Sequence, residues 1–315
     1  MKIGIIGPGA LGCLLAAKLF LVDNEQNNIM LIDHNPDRSA MLNDQGIFYE
    51  ADGVKQKLPI PLSSKPAEIG PIDVLFSCVK SHDLERSLTF ASPLLSSATL
   101  LIFLQNGISH LQYDKRKDVA GVPVFGTSSE GATLLAPGHT KHAGKGQTYL
   151  GFLSKQLQTE EKRLQQVAAL LQQADISCNV SSDILSRLWA KLFVNVGINA
   201  LTAINNLPNG QLLTSSAIKE TMKQLVKEAE QVAIASGITI RIDPVAATLA
   251  VCEHTAKNIS SMLQDVRKHR ITEIDAINGA ISTLGHKNNI ATPLNDRIIA
   301  QIKTIEKNYH EYTTQ

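Results

Sequence analysis

Residues 2–12 read Lys2-Ile3-Gly4-Ile5-Ile6-Gly7-Pro8-Gly9-Ala10-Leu11-Gly12. A short apolar run of β-prone residues leads into Gly-x-Gly-x-x-Gly, and an apolar helical pattern opens at Ala10 and continues to Phe20. Each glycine has a physical task in such a strand–loop–helix unit. Gly7 permits the tight turn, Gly9 lets backbone approach a pyrophosphate, and Gly12 lets the helix pack closely on the strand. Pro8, Ala10 and Leu11 complete the loop. The unpaired N–H groups and partial positive charge at the helix start favour a phosphate there. By itself the motif also fits a bare glycine turn or an S-adenosylmethionine loop; its position between strand and helix favours a dinucleotide. Asp33 stands about 20 residues further on, at the end of the next strand, where an acid accepts hydrogen bonds from the adenine ribose hydroxyls. Taken alone it predicts NAD(H). Arg38, with His34, is near enough in sequence to meet a 2′-phosphate instead. A solvated strand-end carboxylate is the plainer reading of Asp33.

The pattern around this loop is α/β. Strands are expected at Lys2–Ile6, Ile29–Ile32, Val74–Val79, Thr99–Leu104 and Val122–Phe125, alternating with helical stretches, which implies a parallel sheet covered on both faces. Residues 134–152 carry β-prone pieces, expected as added strands at the end of that sheet. A helix over Glu160–Gln173 and a strand over Ile176–Val180 close this half. From Ile184 the sequence turns helical, with segments expected at 184–204, 216–236, 243–258, 272–287 and 295–312. The expected organisation is therefore a dinucleotide-binding domain over 1–180 and an all-helical substrate-binding domain over 181–315.

Composition agrees with an ordinary globular protein. The chain has 315 residues, 43% hydrophobic and 19% charged, and a formal net charge of +1. That balance gives no global field to attract nucleic acid or an anionic membrane. The apolar stretch at Leu14–Val22 is interrupted by Lys18 and falls short of the roughly 20 residues of a membrane span. No leader pattern precedes the first strand. Cys13, Cys78, Cys178 and Cys252 are scattered, with no CxxC or Cys/His cluster, so neither a disulfide framework nor a metal site is expected, and a reducing cytoplasm fits best.

The most informative stretch of the second half is Trp189-Ala190-Lys191-Leu192-Phe193-Val194-Asn195-Val196-Gly197-Ile198-Asn199. Lys191, Asn195 and Asn199 repeat every fourth residue and share one face of a helix whose other positions are apolar. Buried amides need partners, at a cost on the order of 1–3 kcal/mol each without them. Those partners are a buried network between helices or a polar ligand, and the second reading is preferred. Further on, Pro208-Asn209-Gly210 reads first as a turn. Asn258 and Ser261 are polar positions in a later run, and Glu273 and Asp275 stand at an apolar helix start, where an acid is favoured by the helix dipole.

These segments together resemble the ketopantoate reductase (2-dehydropantoate 2-reductase) family, within the 6-phosphogluconate-dehydrogenase-like group. The resemblance spans nearly the whole chain. It rests on Gly7–Gly12, Cys78-Val79-Lys80, Gln105-Asn106-Gly107, the run from Leu188 through Asn199 to Pro208-Asn209-Gly210, Asn258-Ile259-Ser260-Ser261-Met262-Leu263-Gln264-Asp265, and Thr272-Glu273-Ile274-Asp275 with Asn278-Gly279. It implies a Rossmann-type N-terminal domain, a helical C-terminal domain and an active site in the cleft between. It also implies reduction of 2-dehydropantoate to pantoate, on the route to pantothenate and coenzyme A, usually with NADP(H). By motif position, Lys191 resembles the family's proton donor. Asn195, Asn199, Asn209, Asn258 and Ser261 resemble its substrate contacts. Asn106 resembles a residue shared by nicotinamide and substrate, Lys80 and Ala132 cofactor contacts, and Glu273 a residue near the nicotinamide ribose. Where family members often carry Arg after the second strand, this chain has Asp33-His34, which leaves NAD(H) open.

A 2-keto acid needs a hydride at its carbonyl carbon, positive charge on the growing alkoxide, and a proton. Lys191 can supply the last two, and partial burial should draw its pKa down toward neutrality. Glu273 can hold Lys191 or a ribose hydroxyl. The expected partner is a small 2-keto acid, and the chain is expected to act as a monomer or homodimer. The same scaffold also suits a reductase of another 2-keto acid, or a dinucleotide-sensing protein without turnover.

Overall fold

A computed structural model describes residues 1–22, 28–156 and 158–310. By backbone proximity the chain divides into two compact units, residues 1–105 with 110–184, and residues 106–109 with 185–315.

In the first unit the elements run β1 (Lys2–Ile6), α1 (Ala10–Val22), β2 (Asn28–Ile32), α2 (Pro36–Gln45), β3 (Ile47–Ala51), β4 (Val54–Leu58), β5 (Leu62–Ser63), α3 (Pro66–Ile69), β6 (Val74–Ser77), α4 (Leu84–Ala91), β7 (Leu100–Phe103), β8 (Val122–Ser128), β9 (Gly131–Ala136), β10 (His139–Gly144), β11 (Thr148–Gly151), α5 (Gln158–Gln173) and β12 (Cys178–Val180). The main sheet has the order β12-β11-β8-β7-β6-β1-β2-β5. All its pairings are parallel except β8 with β11. The central strands are buried on both faces, as in Val74–Ser77 and Leu100–Phe103. That is why their sequences read as unbroken apolar runs.

One expectation needs correction here. Of the β-prone pieces in 134–152, only β11 joins the main sheet. β9 and β10 instead pair with β3 and β4 in a separate four-stranded sheet, β4-β3-β10-β9. Its strands β3, β9 and β10 lie against α1, and the buried Thr140 hydroxyl donates to the Ala10 carbonyl at 3.0 Å. Helix α1 is therefore covered on a second side, which explains its nearly all-buried sequence from Gly12 to Leu19. The β3–β4 hairpin itself went unread. Its signal is the Asp52-Gly53 turn, both residues at positive φ, joining Ala51 to its partner Val54, a strong short-range hairpin sign.

The second unit carries α6 (Ile184–Asn205), α7 (Ser216–Ala235), α8 (Pro244–His254), α9 (Ser261–Arg267), α10 (Asn278–Lys287) and α11 (Pro293–Lys307). Among its described residues there is no strand. Trp189, Leu192, Phe193, Val196 and Leu201 of α6 are buried, so this helix is central to its unit. The helix expected over 272–287 starts only at Asn278. Residues 273–277 form a turn closed on the Glu273 carbonyl, which accepts the N–H groups of Ala276 and Ile277, each at 3.1 Å. The helix expected to Asn258 stops at His254, and α9 was not expected at all. The helix expected over 295–312 ends at Lys307; its last two positions lie outside the described residues. No helix among the described residues is long and apolar enough to cross a membrane.

Candidate functional site

In the first unit, four segments singled out by sequence follow the carboxyl ends of neighbouring parallel strands. The glycine loop follows β1, Asp33 follows β2, Val79-Lys80 follow β6, and Gln105 ends the run after β7. Ligands of open α/β sheets bind at this edge. Gly7 has φ +96, and a Cβ there would stand 2.9 Å from the Val79 nitrogen. A Cβ on Gly12 would stand 2.1 Å from the Gly7 carbonyl oxygen. Both glycines are thus required by the protein's own packing. Gly9 differs: a Cβ there meets nothing within 4 Å. The space beside it is open, as the approach of a diphosphate requires. Pro8, Ala10 and Leu11 are half-buried around it, as are Lys80 and Ala132 of β9.

Asp33 is 1% exposed, and Arg38 grips both its oxygens. Nε of Arg38 donates to Oδ2, and Nη2 donates to Oδ1 at 2.6 Å. The carboxylate is turned inward and neutralised, and the partly exposed guanidinium lies over it. Helix α2 sets this geometry. Asn35 caps it by accepting the Arg38 N–H at 2.9 Å, with Pro36 in the first turn. Only Ser39 and Leu42 of α2 are buried, so no apolar stripe announced this helix in the sequence.

In the second unit the polar row on α6 is real. Asn199 is 7% exposed, and Lys191 and Asn195 are half-buried. Desolvation of the Lys191 amine lowers its pKa to about 8, against the attraction of Glu273, which raises it. Glu273 is itself buried, and Asn106 Nδ2 donates to its Oε2 at 2.8 Å. Next to Asn106, Gly107 has φ +77, and a Cβ there would lie 1.9 Å from the Ala276 carbonyl oxygen. The 106–109 segment is therefore seated on the 273–277 turn. Lys191, Glu273 and Asn106 form one cluster of an ammonium, a carboxylate and an amide.

The Pro208-Asn209-Gly210 turn docks on the end of α8. The N–H groups of Asn209 and Gly210 donate to the carbonyls of Asn258 and Ala256, each at 3.0 Å. Asn209 Nδ2 donates to Thr255 Oγ1 at 2.8 Å, while its Oδ1 is buried without a partner. Asn258 and Ser261 are exposed. Sequence reasoning gave no role to Ser260, which caps α9 by accepting the Leu263 N–H at 3.1 Å, its hydroxyl 2.6 Å from that of Thr202 on α6. A serine just ahead of Ser261-Met262-Leu263 was the readable sign of a cap.

A Rossmann-type sheet with an open glycine loop, joined to a helical unit bearing a lysine–carboxylate–amide cluster, defines a dinucleotide-dependent oxidoreductase architecture. The family profile for "Ketopantoate reductase PanE/ApbA" matches residues 3–155, and that for its C-terminal part matches residues 183–306. The chain belongs to the ketopantoate reductase family. It is 31% identical over 296 residues to a 2-dehydropantoate 2-reductase of Pyrococcus abyssi, covering 94% of each chain. Against the Pyrococcus horikoshii 2-dehydropantoate 2-reductase it is 30% identical, covering 97% of this chain and 98% of that one. Among solved structures, it is similar to a PanE/ApbA family ketopantoate reductase from Ralstonia eutropha, with TM-score 0.88, 27% identity, and coverage of 98% and 100%. It is also similar to D-mandelate dehydrogenase solved with NADH and anilino(oxo)acetate, with TM-score 0.89, 26% identity, and coverage of 98% and 99%.

Proposed function

We propose that this chain reduces the ketone of 2-dehydropantoate to pantoate, using a nicotinamide dinucleotide and preferring NADPH to NADH. The first unit, with Gly7–Gly12, Lys80 and Ala132, holds the dinucleotide, and the helical unit holds the keto acid. When bound, the cofactor supplies the hydride. The protein's own groups do the rest. The Lys191 ammonium polarises the ketone and then gives its proton to the alkoxide oxygen. A positioned acid of this kind contributes roughly 10²–10⁴-fold, or about 3–5.5 kcal/mol of barrier. Asn106 and Glu273 orient the lysine and a ribose hydroxyl. Asn195, Asn199 and Asn258 read the substrate hydroxyl. The unpartnered Oδ1 of Asn209 accepts a hydrogen bond from a substrate hydroxyl, and Ser261 binds the carboxylate.

The observation that carries this reading is the half-buried Lys191 of α6, clustered with Glu273 and with the Asn106 amide that donates to it at 2.8 Å; desolvation there draws the amine's pKa down to about 8. Such a group is protonated at neutral pH yet loses its proton readily. The NADPH preference rests on the Asp33–Arg38 pair: the buried acid is already matched, and the half-exposed guanidinium offers charge for a 2′-phosphate. The test is oxidation of NADPH and NADH, in parallel, with 2-dehydropantoate, for the parent and Lys191→Ala. Turnover should fall at least about a hundredfold in the variant, with cofactor affinity little changed. Near-normal turnover removes Lys191 from the chemistry. Similarity to D-mandelate dehydrogenase favours a second reading, a different 2-keto acid on the same scaffold. A panel of aliphatic and aryl 2-keto acids separates the two.

A further inference from the structure

We propose that Asn278 is a positioning residue, which pins the turn bearing Glu273 to the helix bearing Lys191. The proposal rests on the assignment of Lys191 and Glu273 made above. Asn278 is the first residue of α10 and is fully buried. Its Nδ2 donates to the Val196 carbonyl of α6 at 3.4 Å and to Asn295 Oδ1 at 2.9 Å. Asn295, also fully buried, donates from its own Nδ2 to Glu228 Oε2 on α7 at 2.8 Å and to the Leu225 carbonyl at 3.3 Å. Glu228 in turn accepts the N–H groups of Leu294 and Asn295, each at 3.0 Å, at the start of α11. One chain of polar contacts thus runs from the Lys191 helix through Asn278 and Asn295 to two further helices.

The turn it anchors is the one that presents Glu273 to the lysine cluster. Ile277, the neighbour of Asn278, donates its N–H to the Glu273 carbonyl at 3.1 Å, and Gly279 donates to the Ile274 carbonyl at 2.9 Å. Ala276 fills the space that a Cβ on Gly107 would need, and Asn106 holds the Glu273 carboxylate. Release of Asn278 therefore lets Glu273 and Asn106 drift together relative to Lys191. A buried amide with fixed partners tolerates few alternative registers, whereas an apolar side chain here would allow the turn to slide.

The experiment is a double-mutant cycle on Asn278→Ala and Glu273→Gln. Its readout is the pH midpoint of Lys191 reductive methylation by formaldehyde and cyanoborohydride, followed by peptide mass spectrometry. This signal needs no turnover, so it reports on the pin even if Lys191→Ala shows that the lysine is not the proton donor. In the parent the midpoint should lie near 8. Asn278→Ala should move it down by about 0.5 or more, because the attraction of Glu273 weakens. In the Glu273→Gln background the same change should have no further effect. On 2-dehydropantoate with NADPH, Asn278→Ala should lower kcat about tenfold with KM within about twofold. Val232→Ala, a buried site on α7, controls for general loosening and should leave the midpoint in place. If Asn278→Ala does not fold, Asn295→Ala removes the same support from one step further away. An unmoved midpoint, an equal movement in both backgrounds, or an equal movement in the Val232 control overturns the proposal.

Discussion

The side-chain amide of Asn106 donates to Oε2 of Glu273 at 2.8 Å, joining a residue just past β7 to a turn 167 positions later in the chain. Glu273 is 8% exposed, so removal of that donor takes a hydrogen bond away from a desolvated carboxylate. Asn106→Ala should cost about 1–3 kcal/mol of stability. The denaturant midpoint, measured at constant slope, checks this. Asn106→Ser, which can restore a donor through water, should recover part of the loss. An Ala variant as stable as the parent would show that Glu273 finds another donor without strain.

Lys191 gives a prediction with a definite sign. Its folded pKa, about 8, lies below its ordinary value of 10.5. Between those values the unfolded chain holds the proton and the folded one has released it. Stability therefore rises with pH across this window, and below pH 8 the desolvated ammonium is a constant burden. Lys191→Met should raise stability at pH 7 by about 1–3 kcal/mol and flatten the rise between pH 8 and 10.5. Thermal unfolding across that range measures both. Turnover should follow the opposite course and fall above pH 8 as the proton is lost.

The glycines separate packing from ligand approach. A Cβ on Gly107 meets the Ala276 carbonyl oxygen at 1.9 Å, and φ there is +77. Gly107→Ala should therefore destabilise the protein by about 3 kcal/mol or more, through steric overlap and backbone strain together. A Cβ on Gly9 meets nothing within 4 Å, so Gly9→Ala should unfold at nearly the parent temperature. Dinucleotide binding should nonetheless weaken at least about tenfold, since the methyl occupies the open side of the loop. Calorimetry of unfolding and of cofactor binding on both variants distinguishes the two effects. A Gly9→Ala protein that binds cofactor normally would move the phosphate site elsewhere.

Most of the sheet was legible because its strands are buried on both faces and read as apolar runs; β1 falls at Lys2–Ile6, as the sequence predicts. The helix bearing Lys191, Asn195 and Asn199 was legible for the complementary reason, since three polar residues interrupt an otherwise apolar periodicity. The unread parts carry weak local signals. Helix α2 has too few buried positions to show a stripe, and β4 is exposed from Val54 to Lys57. The turn at 273–277 was read as a helix because its apolar spacing is helical. Its actual shape is set against Asn106 and Gly107, which are remote in sequence. The pairing of Asp33 with Arg38 was equally hidden, although both residues stood out. Which of the two faces solvent depends on how α2 leaves its Asn35 cap.

That pair yields the last prediction. Arg38 occupies both oxygens of Asp33, whose side chain is 1% exposed against 38% for the arginine. Arg38→Ala leaves a buried carboxylate without its countercharge and should cost about 2 kcal/mol, less than a fully buried pair because the guanidinium is partly in water. Asp33→Ala frees the guanidinium at little cost, since no buried charge remains. Cofactor preference should respond in opposite directions. Asp33→Ala should raise the NADPH to NADH ratio of kcat/KM by releasing donors for a 2′-phosphate. Arg38→Ala should lower it, because the remaining carboxylate repels the phosphate and accepts ribose hydroxyls. Steady-state kinetics with both cofactors checks the ratio, and denaturant unfolding checks the stability. A ratio unchanged in both variants would take the pair out of cofactor recognition and leave it as the lock between β2 and α2.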